Sequence, residues 1–159
     1  MTGTLERADD ILLVEDNPDD VDLTREAFRE LGAVSRLHVV EDGVEAIAFL
    51  RHESKYADAP TPDLVLLDLN LPKKDGRAVL RDMKSDPRLR HIPVVVLSSS
   101  EADRDLIDAY QLQASCFVTK PPDLDAFFTA VQGIEQFWMV LAQLPPPAGP
   151  QSPPRTSER

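Results

Sequence analysis

The apolar positions of this chain follow two rhythms that alternate along its length. Short runs rich in Val, Leu and Ile occur at 10–14 (DILLV), 36–40 (RLHVV), 63–68 (DLVLLD), 93–97 (PVVVL) and 116–119 (CFVT). Three of them are apolar nearly throughout, as expected of strands buried on both faces of a parallel sheet. Between the runs lie amphipathic stretches with recognisable starts. Pro18 and Asp19 open a segment running to Leu31, with Gly32 just past its end. Asp42-Gly43 opens a second, in which Val44, Ile47, Ala48 and Leu50 recur at helical spacing. A third starts near Asp75-Gly76 and stops before Asp86-Pro87, and a fourth covers about Ala102 to Gln113. The last begins near Asp123, a good N-cap, and is expected to reach Leu144.

Strand–helix alternation repeated five times predicts an α/β fold with a doubly wound, five-stranded parallel sheet. The common order for five strands is 2-1-3-4-5, in which ligands sit beyond the carboxyl ends of the central strands. The expected organisation is an N-terminal extension at 1–9, one domain at 10–144 and a tail at 145–159. The tail, PPPAGPQSPPRTSER, is proline-rich and polar, so an extended or disordered segment is expected.

Composition narrows the picture. A chain of 159 residues fits one domain with a substantial core. No apolar run approaches the roughly 20 residues that span a bilayer, and MTGTLERADD lacks the apolar stretch of a secretory signal. The single cysteine, Cys116, allows no internal disulfide and suits a reducing compartment. These features predict a cytoplasmic protein with no membrane partner. Twenty-eight acids against seventeen bases leave a net charge of −11 with no compact basic stripe. Such a field repels nucleic acid, so none is expected as a partner.

The predicted topology gathers chemistry at one edge. Strands one and three are neighbours; the first leads into Glu15-Asp16 and the third ends on Asp68. Three acids so close are costly unless something neutralises them, and a hard divalent cation such as Mg²⁺ does so through oxygen ligands. Strand four ends at Ser98 and strand five at Lys120, which adds a hydroxyl and an ammonium. Acids, a metal, a hydroxyl donor and a lysine suit a phosphoryl group on Asp68. Each residue alone also fits a plainer role: Asp68 a turn or cap, Glu15-Asp16 a helix cap, Ser98 a loop hydroxyl, Lys120 a surface charge.

These motifs and their spacing resemble a receiver domain of the two-component response regulators, the CheY-like family with its flavodoxin-like topology. The resemblance covers roughly residues 10 to 131 and rests on Glu15-Asp16, Asp68 with Pro72 and Gly76, Ser98, and Lys120-Pro121. It implies Asp68 as phosphoacceptor, and Glu15, Asp16, Asp68 and the Asn70 carbonyl as the Mg²⁺ site. Ser98 and Lys120 would bind phosphoryl oxygens, and Phe117 would swing inward as a switch; a plain edge-strand aromatic is its other reading. A cis bond is implied at Lys120-Pro121, and Asn70 and Ser100 fall where hydrolysis is tuned. The implied function is phosphoryl acceptance from a sensor histidine kinase, by a phosphoacceptor rather than an enzyme. The segments VEDNPDD, DLNLP and LQASCFVTKPP are similar to those of regulators paired with bacterial phytochromes.

The fifteen residues after Leu144 hold no second domain, so output through binding is expected. The last helix is apolar around much of its circumference, and its extension from about 132 to 144 is expected to mediate a homodimer. The residues singled out for that interface are Phe128, Ile134, Phe137, Trp138 and Leu141; the alternative is a helix folded back over its own core. Three rival functions share parts of the pattern. A metal-dependent phosphatase would want an acid where Asn70 stands. A flavodoxin-like flavin carrier would have no use for the converging acids. A scaffold receiver would act without phosphorylation.

Overall fold

The computed structural model describes residues 10–30, 36–98, 116–120 and 123–142. Five strands form one parallel sheet: β1 (Asp10–Val14), β2 (Arg36–Val40), β3 (Leu64–Asp68), β4 (Val94–Ser98) and β5 (Cys116–Thr119), in the order β2-β1-β3-β4-β5. The described helices are α1 (Pro18–Glu30), α2 (Gly43–Leu50), α3 (Gly76–Ser85) and α4 (Leu124–Ala142). The segment expected to be helical at 102–113 lies outside the described residues, as do 1–9 and the tail.

Alternation along the strands divides the core into two layers, because successive side chains point to opposite faces. Leu12, Val14, Val65, Leu67, Val94 and Val96 pack on one face with Ala46, Phe49 and Leu50 of α2 and Val79, Leu80 and Met83 of α3. Ile11, Leu13, Leu64, Leu66, Val95 and Leu97 pack on the other with Ala27 and Phe28 of α1 and Phe127, Val131 and Ile134 of α4. Strands β1, β3 and β4 are buried along their whole length, which is why their sequences carry no polar alternation. Edge strand β2 is exposed at Arg36 and buried only at Val40.

Asp and Asn cap the helix starts and thereby set where each helix leaves the sheet. Asn17 Oδ1 accepts from the amides of Asp19 (2.9 Å) and Asp20 (3.3 Å). Asp42 accepts from Glu45 N at 2.8 Å, Asp75 from Ala78 N at 3.0 Å and Asp123 from Ala126 N at 3.0 Å. Each such cap satisfies an otherwise unpaired amide and contributes about 1 kcal/mol. The capping of α1 by Asn17 matters for function, since it leaves the carboxylates of Glu15 and Asp16 for other work.

Ile134 corrects part of the interface expected from sequence. It is only 7% exposed and belongs to the chain's own core, against the sheet face that α1 also covers. Helical periodicity could not assign it, because a helix apolar on most sides offers two candidate stripes. Phe128 is half-buried beside the same core. The side chains of Phe137, Trp138 and Leu141 lie outside the described residues. Among the described residues, no helix is long and apolar enough to cross a membrane.

Candidate functional site

The register brings the chemistry together. Val14 pairs with Leu67, so the chain leaving β1 at Glu15 runs beside Asp68 at the end of β3. Asp68 pairs with Leu97 and Ser98 with Thr119, which places Lys120 one residue past the end of β5. The Lys120 amide donates to the Ser98 carbonyl at 2.6 Å and anchors the lysine backbone to β4.

Glu15 is 2% exposed and Asp68 5%, while Asp16 is exposed. Carboxylate oxygens of the three lie within 4.8 Å of one another. Lys120 joins the cluster. Its ammonium donates to Glu15 Oε1 at 2.7 Å, Asp20 Oδ2 at 3.0 Å and Asp68 Oδ2 at 3.4 Å. The remaining oxygens take backbone amides: Glu15 Oε2 accepts from Asn17 N at 3.2 Å, and Asp68 Oδ1 from Asn70 N at 3.1 Å. The apolar strand β3 therefore ends on a carboxylate that is both buried and partnered.

The loop after Asp68 is held by close approach. Gly76 N donates to Leu69 O at 3.0 Å. A Cβ at Gly76 would lie 2.4 Å from the Asp68 carbonyl oxygen and 2.6 Å from Leu69 Cα. Both are backbone atoms that cannot swing aside, so only glycine lets α3 start against the end of β3. Leu69 and Leu71 are buried in the core and Asn70 is exposed between them. Anchoring the neighbours of Asn70 limits how far its peptide can move.

Charge in the cluster is unequally distributed. Burial pushes the Glu15 carboxyl up to about 7, aided by the Asp68 charge and opposed by the Lys120 ammonium. For Lys120 burial is the largest single influence and favours the neutral amine. The hydrogen bond to Glu15, the Asp68 and Glu15 charges and the Asp20 bond together outweigh it and raise its pKa. The cluster thus has more negative charge than one ammonium neutralises. Its donors are all oxygen, which fits a hard divalent cation held by carboxylates.

A pH dependence follows for the metal-free protein. A carboxyl whose folded pKa is raised from 4.5 to about 7 takes up a proton on folding between those values. Stability should therefore fall as pH rises through that window, by up to about 3 kcal/mol. Asp10 and Asp86 have lowered pKa values, through hydrogen bonds from Arg36 and Arg88 respectively, so their contributions are lost only at more acidic pH. Urea unfolding with a chelator present should give a higher midpoint near pH 5 than near pH 8. Saturating Mg²⁺ should narrow the gap; equal midpoints without metal would contradict the burial of Glu15.

The structure thus brings Glu15, Asp16, Asp68, Ser98 and Lys120 to one edge of the sheet. Ser98 is fully buried at the end of β4. The Phe117 side chain, Ser100 and Pro121, with the Lys120-Pro121 bond, lie outside the described residues. Asp20 was not foreseen. In sequence it is one of two acids in the first turn of α1, and only the arrival of Lys120 from a distant strand distinguishes it from Asp19.

A parallel α/β domain with an acid trio and a lysine at the carboxyl edge of its sheet defines a class of signalling domain. The chain belongs to the response regulator receiver domain family, which it matches over residues 11–132. It is 46% identical over 135 residues to the response regulator Rcp1 of Synechocystis sp., covering 85% of this chain and 92% of that one. The crystal structure of the phosphorylated cyanobacterial phytochrome response regulator RcpA superposes with a TM-score of 0.81 at 49% identity, covering 88% of this chain and 100% of RcpA. The Mn²⁺-bound form of Rcp1 gives a TM-score of 0.80 at 45% identity, covering 87% of this chain and 99% of that structure.

Proposed function

We propose that this chain is a phosphoacceptor response regulator that takes a phosphoryl group from a sensor histidine kinase onto Asp68. The observation that carries this reading is the convergence of Glu15, Asp16, Asp68 and Lys120 at the ends of β1, β3 and β5. Its match to Rcp1 and RcpA supports action as a response regulator receiver. Kinship with a phytochrome response regulator favours a phytochrome-type kinase as the donor, in the cytoplasm.

Glu15, Asp16, Asp68 and the Asn70 carbonyl are the groups that would hold Mg²⁺. Bound there, the cation would neutralise the carboxylates and the oxygens of an incoming phosphoryl group. An Asp68 carboxylate oxygen attacks the phosphorus of a phosphohistidine; the P–O bond forms as the P–N bond breaks and the imidazole leaves. Rigid attachment of Asp68 to a fully buried strand keeps the nucleophile in place. Lys120 donates to one phosphoryl oxygen and the Ser98 hydroxyl to another, and Phe117 swings inward. Water later cleaves the acyl phosphate, so the chain is a phosphoacceptor rather than an enzyme acting on a separate substrate.

The test is incubation with a small-molecule phosphodonor, read by intact mass. Labelling should require Mg²⁺ and vanish with a chelator, and labelling indifferent to the metal would oppose the reading. The output in this reading is a homodimer through α4 and its apolar residues Phe137, Trp138 and Leu141, flanked by Phe128. Sedimentation should show the full chain as a dimer and a version ending at Gln132 as a monomer. Two monomeric species would rule the interface out.

A further inference from the structure

Lys120 has three N–H donors, and all three are taken by carboxylates in this structure. To donate to a phosphoryl oxygen it must release one of them. Two of its partners, Glu15 and Asp68, belong to the trio suited to a cation. A cation held there would compete for both carboxylates and loosen their hold on the ammonium. Asp20 lies outside that trio and keeps its claim on Lys120. Its backbone is secured in the first turn of α1, with its amide donating to Asn17 Oδ1 at 3.3 Å and its carbonyl accepting from the buried Thr24 hydroxyl at 2.8 Å. Its carboxylate therefore stays within reach of the lysine.

We propose that Asp20 is a positioning residue that holds Lys120 in its resting place and competes with a phosphoryl group on Asp68 for the ammonium. This rests on the phosphoacceptor reading above and assigns Asp20 a role in setting how firmly the phosphoryl state is held. Two effects act in the same direction. The Asp20 carboxylate withholds a hydrogen-bond donor from the phosphoryl oxygens, and its negative charge repels them. The same charge attracts a cation at the neighbouring trio. Asp20 thereby favours the metal-loaded, unphosphorylated state.

Asp20→Asn removes the charge while keeping the size and one acceptor oxygen. With Mg²⁺ saturating, beryllofluoride serves as the phosphoryl mimic, and titration calorimetry reads its affinity. The variant should bind beryllofluoride about three- to tenfold tighter than the parent, since Asp20 is partly solvated and a bond to a charged group there is weakened by water. Mg²⁺ alone should bind about two- to threefold more weakly, as one nearby negative charge is lost. Opposite shifts are the signature, because a merely damaged site would weaken both ligands. Unchanged beryllofluoride affinity, or a parallel loss of both affinities, overturns the role of Asp20. A parent protein that does not bind beryllofluoride at all overturns the phosphoacceptor reading and this inference with it.

Discussion

Asp68→Asn is expected to abolish phosphoryl labelling while leaving the chain folded. Asparagine matches aspartate in size, and its side-chain carbonyl can accept the Asn70 amide that Asp68 Oδ1 accepts at 3.1 Å. Its amide is a poor nucleophile, because the nitrogen lone pair is delocalised and no acyl phosphate can form. Lys120 keeps Glu15 and Asp20 as partners. Removing the Asp68 charge also relieves one of the influences that raise the Glu15 pKa. Metal-free stability should therefore match or exceed that of the parent. Divalent-cation affinity should drop, since one member of the trio is neutral. Intact mass after incubation with phosphodonor and Mg²⁺ reads the first effect, and urea unfolding the second. Label on the Asn variant equal to that on the parent would place the phosphoryl group elsewhere and refute Asp68 as nucleophile.

Lys120→Met is expected to cost about 3–5 kcal/mol in the metal-free protein near pH 8, the usual penalty for stripping a buried carboxylate of its partner. Methionine keeps most of the aliphatic stem, so the loss isolates the charge. The ammonium lies 5.9 Å from the centre of the Phe127 ring, at the limit of a useful cation–π contact, so its main partners are the carboxylates. Loss of stability should shrink as pH falls below 7, because a protonated Glu15 no longer needs a counter-charge. Mg²⁺ should also restore stability, and should bind this variant more tightly than the parent, because Lys120 competes with a cation for Glu15 and Asp68. Urea midpoints across pH, with and without Mg²⁺, read all three effects. A loss that ignores both pH and metal would mean that the methionine disturbs packing instead.

Much of the architecture was legible because burial leaves a plain signature. Strands covered on both faces cannot alternate, so DILLV, LVLLD and VVVLS stand out as apolar runs. Asp42, Asp75 and Asp123 mark helix starts because orphan amides there need a side-chain acceptor. Boundaries shift only slightly: β3 starts at Leu64 rather than Asp63 and β4 at Val94 rather than Pro93. Proline has no amide to give to a ladder, though the Pro93 carbonyl still accepts from Val65 N at 3.0 Å.

The candidate site was legible for a related reason. In a parallel sheet all carboxyl ends share one edge, so Glu15, Asp16, Asp68, Ser98 and Lys120 converge once strand order is known. Which elements form, the edge at which they gather chemistry and the residue types gathered there were all readable along the chain. Local pattern carries that information because period and capping are properties of neighbours along the chain. Packing of the folded chain is what selects Asp20 rather than Asp19 as the partner of Lys120 and assigns Ile134 to the core. Each of those depends on a partner a hundred residues away or on which side of a helix meets the sheet. Proximity of that kind exists only once the chain has packed.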